Sequence, residues 1–435
     1  MKPAMKTCLR ISVFLIFLLT VIVSTQAQSF ILKQTHENGV YKSNEKFRIT
    51  LVVKQKSDDS LSVKVWKNND QLIFKKSILP NQDSLVIYEN AVKEPCSVML
   101  EAKQKGTRKL IGLVVAPGKL KPGSPFPKDF EAYWNQEKQN LNALLMEVKT
   151  KKMDVSEAGY ECQDVEINCT GPKPARGYFA KPVGAKVRSL PIVLIVHAAG
   201  VKGSWCRSEV ANAVNYAKKG NGALCFDLNA HGMLNGQPDD YYSNLEAGEL
   251  KDYYNIGLEN RSELYFRGMY LRLIRTLEFL TRQPEWDKKR ILVIGESQGG
   301  GQALAAAGLD NRVSAVVATV PAMCDWGGTL VGRKGGWPQP FERKFDMEKM
   351  KQTLPYFDTA NLLRNSKATI VVEIGLVDQT CPSTSIYAAI NQAKGNKVIY
   401  PVSYREHSWP TAEQRKNWDP MVFNPKNEFV DNYLK

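Results

Sequence analysis

Histidine is scarce in this sequence, with four among 435 residues, and no CxxC or HExxH motif occurs. The usual zinc-ligand spacings are therefore missing, and no metal or other cofactor is expected. Disulfide scaffolding is excluded as well. The cysteines downstream of the N-terminal segment are odd in number and scattered from Cys96 to Cys381, unlike the dense pairs of a small stapled domain. Cys162 and Cys169 lie seven apart in a strand-like stretch and so point to opposite faces. No internal repeat or low-complexity tract is present. Lys and Arg give a formal charge of +15 but form no run longer than Lys151-Lys152 or Lys288-Lys289-Arg290. That dispersal describes a solvated basic surface and predicts no nucleic-acid partner.

One apolar run stands out. Lys2, Lys6 and Arg10 precede Ile11–Val23, and Thr25-Gln26-Ala27 supplies small residues for cleavage. The run is shorter than the roughly 20 residues of a membrane span, so residues 1–27 read as a signal peptide of a secreted or periplasmic protein. Cys8 lies ahead of the apolar core, the wrong side for lipid attachment. No later run is long enough to span a membrane.

The remainder is 43% apolar and 24% charged over the whole chain, a globular composition. Residues 28–117 carry short alternating runs, among them Phe47–Val53, Leu61–Trp66, Val98–Ala102 and Leu110–Val115, separated by turns such as Lys67-Asn68-Asn69-Asp70. This spacing predicts a small β-sandwich. It is either a glycan-contacting module or a passive wall. Residues 118–150 read as a Pro/Gly linker and a lead-in helix over Lys128–Lys149. From 151 to 435 the texture changes to short buried strands (Leu190–Val196, Ala223–Leu228, Ile291–Ile294, Ala315–Val320, Ile370–Ile374) alternating with helical patterns. The clearest helix is Glu263–Arg282, with an apolar stripe. This is an α/β domain with a mostly parallel sheet.

The strongest local signal is Gly295-Glu-Ser297-Gln298-Gly299, preceded by a buried strand and followed by a small-residue helix. That is the G-x-S-x-G nucleophile elbow of α/β-hydrolases, with Ser297 as the predicted nucleophile. Serine needs a base, and in this fold the order along the chain is Ser, acid, His. Of His36, His197, His231 and His407, only His407 follows Ser297. The acid belongs at the carboxyl end of a strand, where Asp378 turns off Ile370–Gly375; Asp358 precedes that strand and Glu373 lies inside it. The oxyanion donors are predicted at the backbone N–H groups of Gln298 and Ala199, with Ala198 next. His197 reads as a structural residue at a strand end, and His231 as a candidate for the pocket border.

From Pro127 onward the chain resembles the acetyl xylan esterase / cephalosporin C deacetylase family. The carriers are Pro127-Lys-Asp129-Phe130-Glu-Ala-Tyr133-Trp134, the elbow through Gly301, Val320-Pro321-Ala-Met-Cys324-Asp325-Trp326, Gly375-Leu376-Val377-Asp378-Gln-Thr-Cys381-Pro382, and Glu406-His407. The resemblance implies deacetylation of acetylated sugars such as xylan or xylo-oligosaccharides, with Ser297, Asp378 and His407 as triad and oxyanion donors at Gln298 and the position of Ala199. The chain departs from the family pattern at His197-Ala-Ala-Gly200, at Asn229-Ala-His231-Gly232 and in its added N-terminal β-domain. Segment Trp326–Leu354 sits where hydrolases insert a lid. Trp326 and Trp205 are taken as substrate-binding aromatics, with Trp337, Phe341, Phe345 and Trp409 as further candidates. A prolyl-oligopeptidase-type peptidase is disfavoured because about ninety residues of strand cannot build a propeller. A non-catalytic glycan-binding protein is disfavoured because no triad member is missing.

Overall fold

A computed structural model describes residues 30–435, so the expected signal peptide lies outside the described residues. Eight strands come first: β1 (Phe30–Gln34), β2 (Val40–Tyr41), β3 (Lys46–Val53), β4 (Leu61–Lys67), β5 (Gln71–Ile78), β6 (Ser84–Ala91), β7 (Cys96–Gln104) and β8 (Thr107–Val115). They form a three-stranded sheet in the order β1-β3-β6 and a five-stranded sheet in the order β2-β8-β7-β4-β5. Alternation decides which face turns inward. Phe47, Ile49 and Leu51 of β3 meet Leu61, Val63 and Val65 of β4 in one shared core, all fully buried.

The second unit is a nine-stranded sheet made of β9 (Val148–Met153), β10 (Tyr160–Ile167), β11 (Ala175–Pro182), β12 (Leu190–Val196), β13 (Leu224–Asn229), β14 (Trp286–Glu296), β15 (Ala315–Thr319), β16 (Thr369–Gly375) and β17 (Lys397–Val402). Its order is β17-β16-β15-β14-β12-β13-β11-β10-β9. Strands β12 to β17 pair in parallel, whereas β9, β10 and β11 run antiparallel at one edge. The α/β expectation holds. Every residue of β12 is buried, as an unbroken Leu-Pro-Ile-Val-Leu-Ile-Val run requires when both faces are covered. The order reverses at β12, which has β13 on one side and β14 on the other. Ligands of open α/β sheets bind outside the strand ends at such a reversal.

Two helices differ from expectation. The lead-in helix spans Phe130–Ala143 and stops there, because the chain turns into the edge strand β9. The helix Tyr265–Thr281 shows no exposed polar face: Arg272 and Arg275 are buried along with its apolar side chains. The lead-in helix packs on it and is tied by a two-pronged pair, Arg267 Nε and Nη2 to Glu137 at 3.0 and 2.7 Å. Each buried guanidinium has carbonyl partners: Arg272 donates to Ala230 O, and Arg275 to Leu144 O and Asn168 O. All seven cysteines among the described residues are unpaired. No described helix is long and apolar enough to cross a membrane.

The sandwich is docked through specific backbone contacts. At the β4–β5 turn Asn68 and Asn69 both have positive φ, 57° and 58°, as the two central residues of a primed turn require, and Asp70 N–H closes that turn onto Lys67 O. From this tip Asn69 Nδ2 donates to Asp378 O at 2.7 Å, and Asn68 O accepts from Lys334 N–H at 3.2 Å. On β8, Gly112 N–H donates to Ser403 O at 2.7 Å. A Cβ on Gly112 would lie 2.3 Å from Leu376 O, a backbone atom that cannot step aside alone. Gly112→Ala is therefore expected to lower the free energy of unfolding by about 1–3 kcal/mol. Gly118→Ala, where nothing lies within 4 Å, should stay within about 0.5 kcal/mol of the parent. Denaturant titrations of the two variants make the comparison, and equal stability of both would contradict the docking geometry.

Candidate active site

Strand β14 ends at Glu296 and the helix Gln298–Leu309 begins at once, leaving Ser297 alone between them. Its backbone is forced to φ 54°, ψ −119°, a strained conformation for a residue with a Cβ, costing about 1–3 kcal/mol. The surroundings hold it there. Ser297 N–H donates to Thr319 O at 2.9 Å, and Ser297 O accepts from the N–H groups of Gly301 and Ala322 at 3.0 and 2.8 Å. The glycines are there for clearance. A Cβ on Gly299 would come within 2.3 Å of Val196 O, and one on Gly295 within 2.3 Å of Gly299 C.

Ser297 Oγ lies 2.9 Å from His407 Nε2, and His407 Nδ1 lies 2.8 Å from Asp378 Oδ2. The carboxylate only accepts, so Nδ1 carries the proton and Nε2 is free to accept from the serine hydroxyl. The other carboxylate oxygen, Oδ1, accepts the N–H groups of Thr380 and Cys381, each at 2.8 Å. Asp378 is fully buried, Ser297 nearly so, and His407 is partly open to solvent. The three residues picked from chain order are thus brought into one hydrogen-bonded line. Asp378, Cys381 and His407 are also the one grouping of metal-ligand side chains among the described residues. Within it, Asp378 Oδ2 is engaged by His407 Nδ1, His407 Nε2 faces Ser297 Oγ, and burial pushes the Cys381 thiol well above its ordinary pKa.

The carboxylates set aside at the sequence level hold structure elsewhere. Asp358 accepts the backbone N–H groups of Asp325, Trp326 and Ala360 at 2.7–2.9 Å. Burial, and then the Asp325 carboxylate, push its pKa up to about 7. Glu373, fully buried in β16, accepts from Arg405 Nε at 3.1 Å and Trp418 Nε1 at 2.8 Å and pairs with Lys426. Arg405 in turn donates to His407 O at 3.2 Å. Sequence reading passed over this support for the histidine loop. Its signal was visible, since a glutamate inside an apolar strand needs a buried cation as partner.

Ala199 follows the end of β12, and its N–H meets no acceptor among the described residues. Gln298 supplies the first N–H of its helix, which has no carbonyl a turn behind it. Side chains pin the loop after β12. The carbonyls of His197, Ala199 and Gly200 accept from Gln302 Nε2 (3.2 Å), Trp205 Nε1 (3.0 Å) and His231 Nε2 (2.9 Å). His197 is buried and paired with Asp227. Burial opposes its charged form, but the Asp227 charge and hydrogen bond outweigh this and raise the pKa.

A pocket of about 1030 Å³ opens over Ser297 and His407, with Trp205, Trp337 and Trp409 in its walls. Trp326 is not there, which corrects the expectation. Asp358 grips the backbone at Asp325 and Trp326, and the indole turns into the core against Phe266 (5.4 Å between rings), donating to Trp337 O. Of segment Trp326–Leu354 only Trp337 reaches the pocket; Phe341 and Phe345 do not line it. A separate cavity of about 720 Å³, flanked by Lys138 and Arg312, contains no residue of this site.

Strand order, elbow and the serine–imidazole–carboxylate line define an α/β-hydrolase. The family model described as acetyl xylan esterase (AXE1) matches residues 118–419, and the chain belongs to that family, a family of carboxylic ester hydrolases. Acetyl esterase Axe7A of Xylanibacter ruminicola is 31% identical over 316 residues, which is 72% of this chain and 70% of the relative. Among solved structures, acetyl xylan esterase from Paenibacillus sp. R4 superposes with a TM-score of 0.60 at 26% identity, covering 73% of this chain and 98% of that one. Acetyl xylan esterase 1 from Thermoanaerobacterium sp. JW/SL YS485 shares the fold, with a TM-score of 0.56, 21% identity and the same coverages.

His231 provides a stability test. Gly200 O can only accept, so Nε2 donates and Nδ1 accepts from Tyr265 Oη at 2.6 Å. Burial, then Arg272, lower its pKa to about 3. An unfolded chain protonates a histidine near pH ~6.5, so between these values the unfolded state binds more protons. Stability must therefore fall as pH drops through about 6.5 toward 3. Acid-range unfolding curves at about pH 5 should show close to one proton fewer taken up on unfolding in His231→Asn than in the parent. Identical uptake would contradict a neutral buried His231.

Proposed function

We propose that the protein is a secreted or periplasmic serine esterase that removes acetyl groups from acetylated xylan or xylo-oligosaccharides. One observation carries the mechanism: the unbroken line Ser297 Oγ–His407 Nε2, 2.9 Å, and His407 Nδ1–Asp378 Oδ2, 2.8 Å, in a member of the acetyl xylan esterase family. Ser297 Oγ attacks the acetyl carbonyl while His407 takes its proton. Asp378 holds the required tautomer and stabilises the imidazolium. The N–H groups of Gln298 and Ala199 receive the oxyanion. Collapse breaks the ester bond, His407 returns the proton to the departing sugar hydroxyl, and water then releases acetate from Ser297 by the same route in reverse. Trp205, 66% exposed beside the oxyanion loop, offers an aromatic face to the sugar. Export is supported by the basic-then-apolar leader of residues 1–27.

Ser297→Ala should lower esterase turnover by about 10³-fold or more, leaving the residual contribution of binding and oxyanion donors. A serine-reactive organophosphonate should label Ser297 and spare the variant; stoichiometric labelling of another serine would refute the assignment. His407→Ala should be similarly inactive on 4-nitrophenyl acetate, while His231→Asn keeps substantial turnover. The acyl side is expected to be short. Each methylene that finds no room costs about ten- to two-hundredfold in kcat/KM, so rates on 4-nitrophenyl esters should fall from acetate to butyrate and become negligible at octanoate. Octanoate cleaved faster than acetate would exclude a deacetylase.

A further inference from the structure

A second cleft, of about 510 Å³, lies on the far side of the His407 loop, between the sandwich and the catalytic domain. Leu32 of β1 and Lys109 of β8 wall it from the sandwich; Ser408, Trp409 and Asn417 wall it from the catalytic domain. Ser408 and Trp409 also line the pocket over Ser297. The two spaces therefore adjoin along one ridge, whose crest is a tryptophan.

That tryptophan is 55% exposed and yet firmly backed. Trp418 meets its ring edge-on at 5.4 Å and 72°, and Phe423 at 6.3 Å and 65°. Trp418 is itself pinned through its indole N–H to buried Glu373. Packing thus holds an aromatic face in place while about half of it stays open at the border of the two spaces. Of the polar side chains lining the cleft, Arg108 is paired with Glu101 and Glu406 and Gln414 caps the helix at Thr411, whereas the Lys109 ammonium and the Asn417 amide make no hydrogen bond or ion pair among the described residues. A pyranose matches this combination, with C–H faces for the ring and a belt of hydroxyls for the amine and the amide. Because the two spaces share Ser408 and Trp409, a sugar chain seated at Ser297 has a path over Trp409 into the second cleft.

We propose that the cleft between sandwich and catalytic domain is a glycan subsite, which binds the sugars flanking the acetylated residue. The preferred substrate is then a polysaccharide or long oligosaccharide, and the sandwich supplies one wall of its binding site. This rests on the deacetylase reading given above. The test measures, for the full chain, the ratio of kcat/KM on acetylated xylan to kcat/KM on 4-nitrophenyl acetate, so that losses from impaired folding cancel. Trp409→Ala should lower the ratio about three- to tenfold, the worth of one aromatic contact. Because Trp409 also borders the Ser297 pocket, the double variant Lys109→Ala/Asn417→Ala, confined to the second cleft, is measured beside it and should lower the ratio in the same sense. Ratios unchanged in both variants, with the parent active on acetylated xylan, would overturn the subsite alone. A parent that cleaves 4-nitrophenyl acetate but not acetylated xylan would overturn the substrate reading on which it rests.

Discussion

The helix Gln298–Leu309 lies against the end of β12 with no side chain between them, and the rest of the site depends on that approach. The contact is backbone on backbone: the space a Gly299 Cβ would need is taken by Val196 O. Only this closeness sets Ser297 at the tip of its strained turn while the loop after β12 passes beside it. Ala199, in the loop after β12, and Gln298, the first residue of the helix after β14, are the two positions proposed above as oxyanion donors. The strain in Ser297 is held by three backbone hydrogen bonds and by packing on both faces of the sheet. Such over-determination lets an unfavourable φ persist.

The histidine loop has a different foundation, because the strand it follows, β17, is the edge of the sheet with no strand beyond it. Its anchor is electrostatic. Glu373 is buried among Arg405, Lys426 and Trp418, and through Arg405 it reaches His407 O. Burying such charges is expensive unless all of them are satisfied, and a cluster of this kind contributes geometry more surely than stability. The same glutamate fixes Trp418, which backs Trp409. One buried carboxylate thus sets both the imidazole and the exposed ring next to it.

Much of this was legible in the sequence for definite reasons. Four histidines and a fixed chain order left His407 as the one partner for Ser297, and the buried runs from Leu190 onward placed the parallel strands to within about a residue, except β14, which begins five residues before the run Ile291–Ile294. What stayed hidden has physical causes. Strand β9 is exposed along nearly its whole length, so its Lys-Thr-Lys-Lys stretch carries no alternation to read. The buried arginines of Tyr265–Thr281 look solvent-facing in a helical pattern, and only tertiary carbonyls make them core. Trp326 and Trp337 are equally plausible wall residues in sequence. Two backbone N–H groups donating to Asp358, those of Asp325 and Trp326, decide between them, and sequence spacing does not report on those bonds.

The contacts of the sandwich are the furthest from anything periodicity could reveal, and they fall on the parts of the site that lack regular structure. Asn69 reaches the carbonyl of Asp378, Asn68 that of Gly332, and Gly112 that of Ser403. These three carbonyls belong to the acid loop, the segment after β15 and the approach to His407. Loops of this kind, left to themselves, have many conformations to lose before a serine, an imidazole and a carboxylate line up within hydrogen-bonding distance. A domain that satisfies their backbone groups from one side reduces that loss without touching the reacting atoms. The arrangement also explains why the second cleft lies where it does: a wall that grips the His407 loop stands next to the ridge at Trp409, and the gap it leaves opens on the far side of that loop from Ser297.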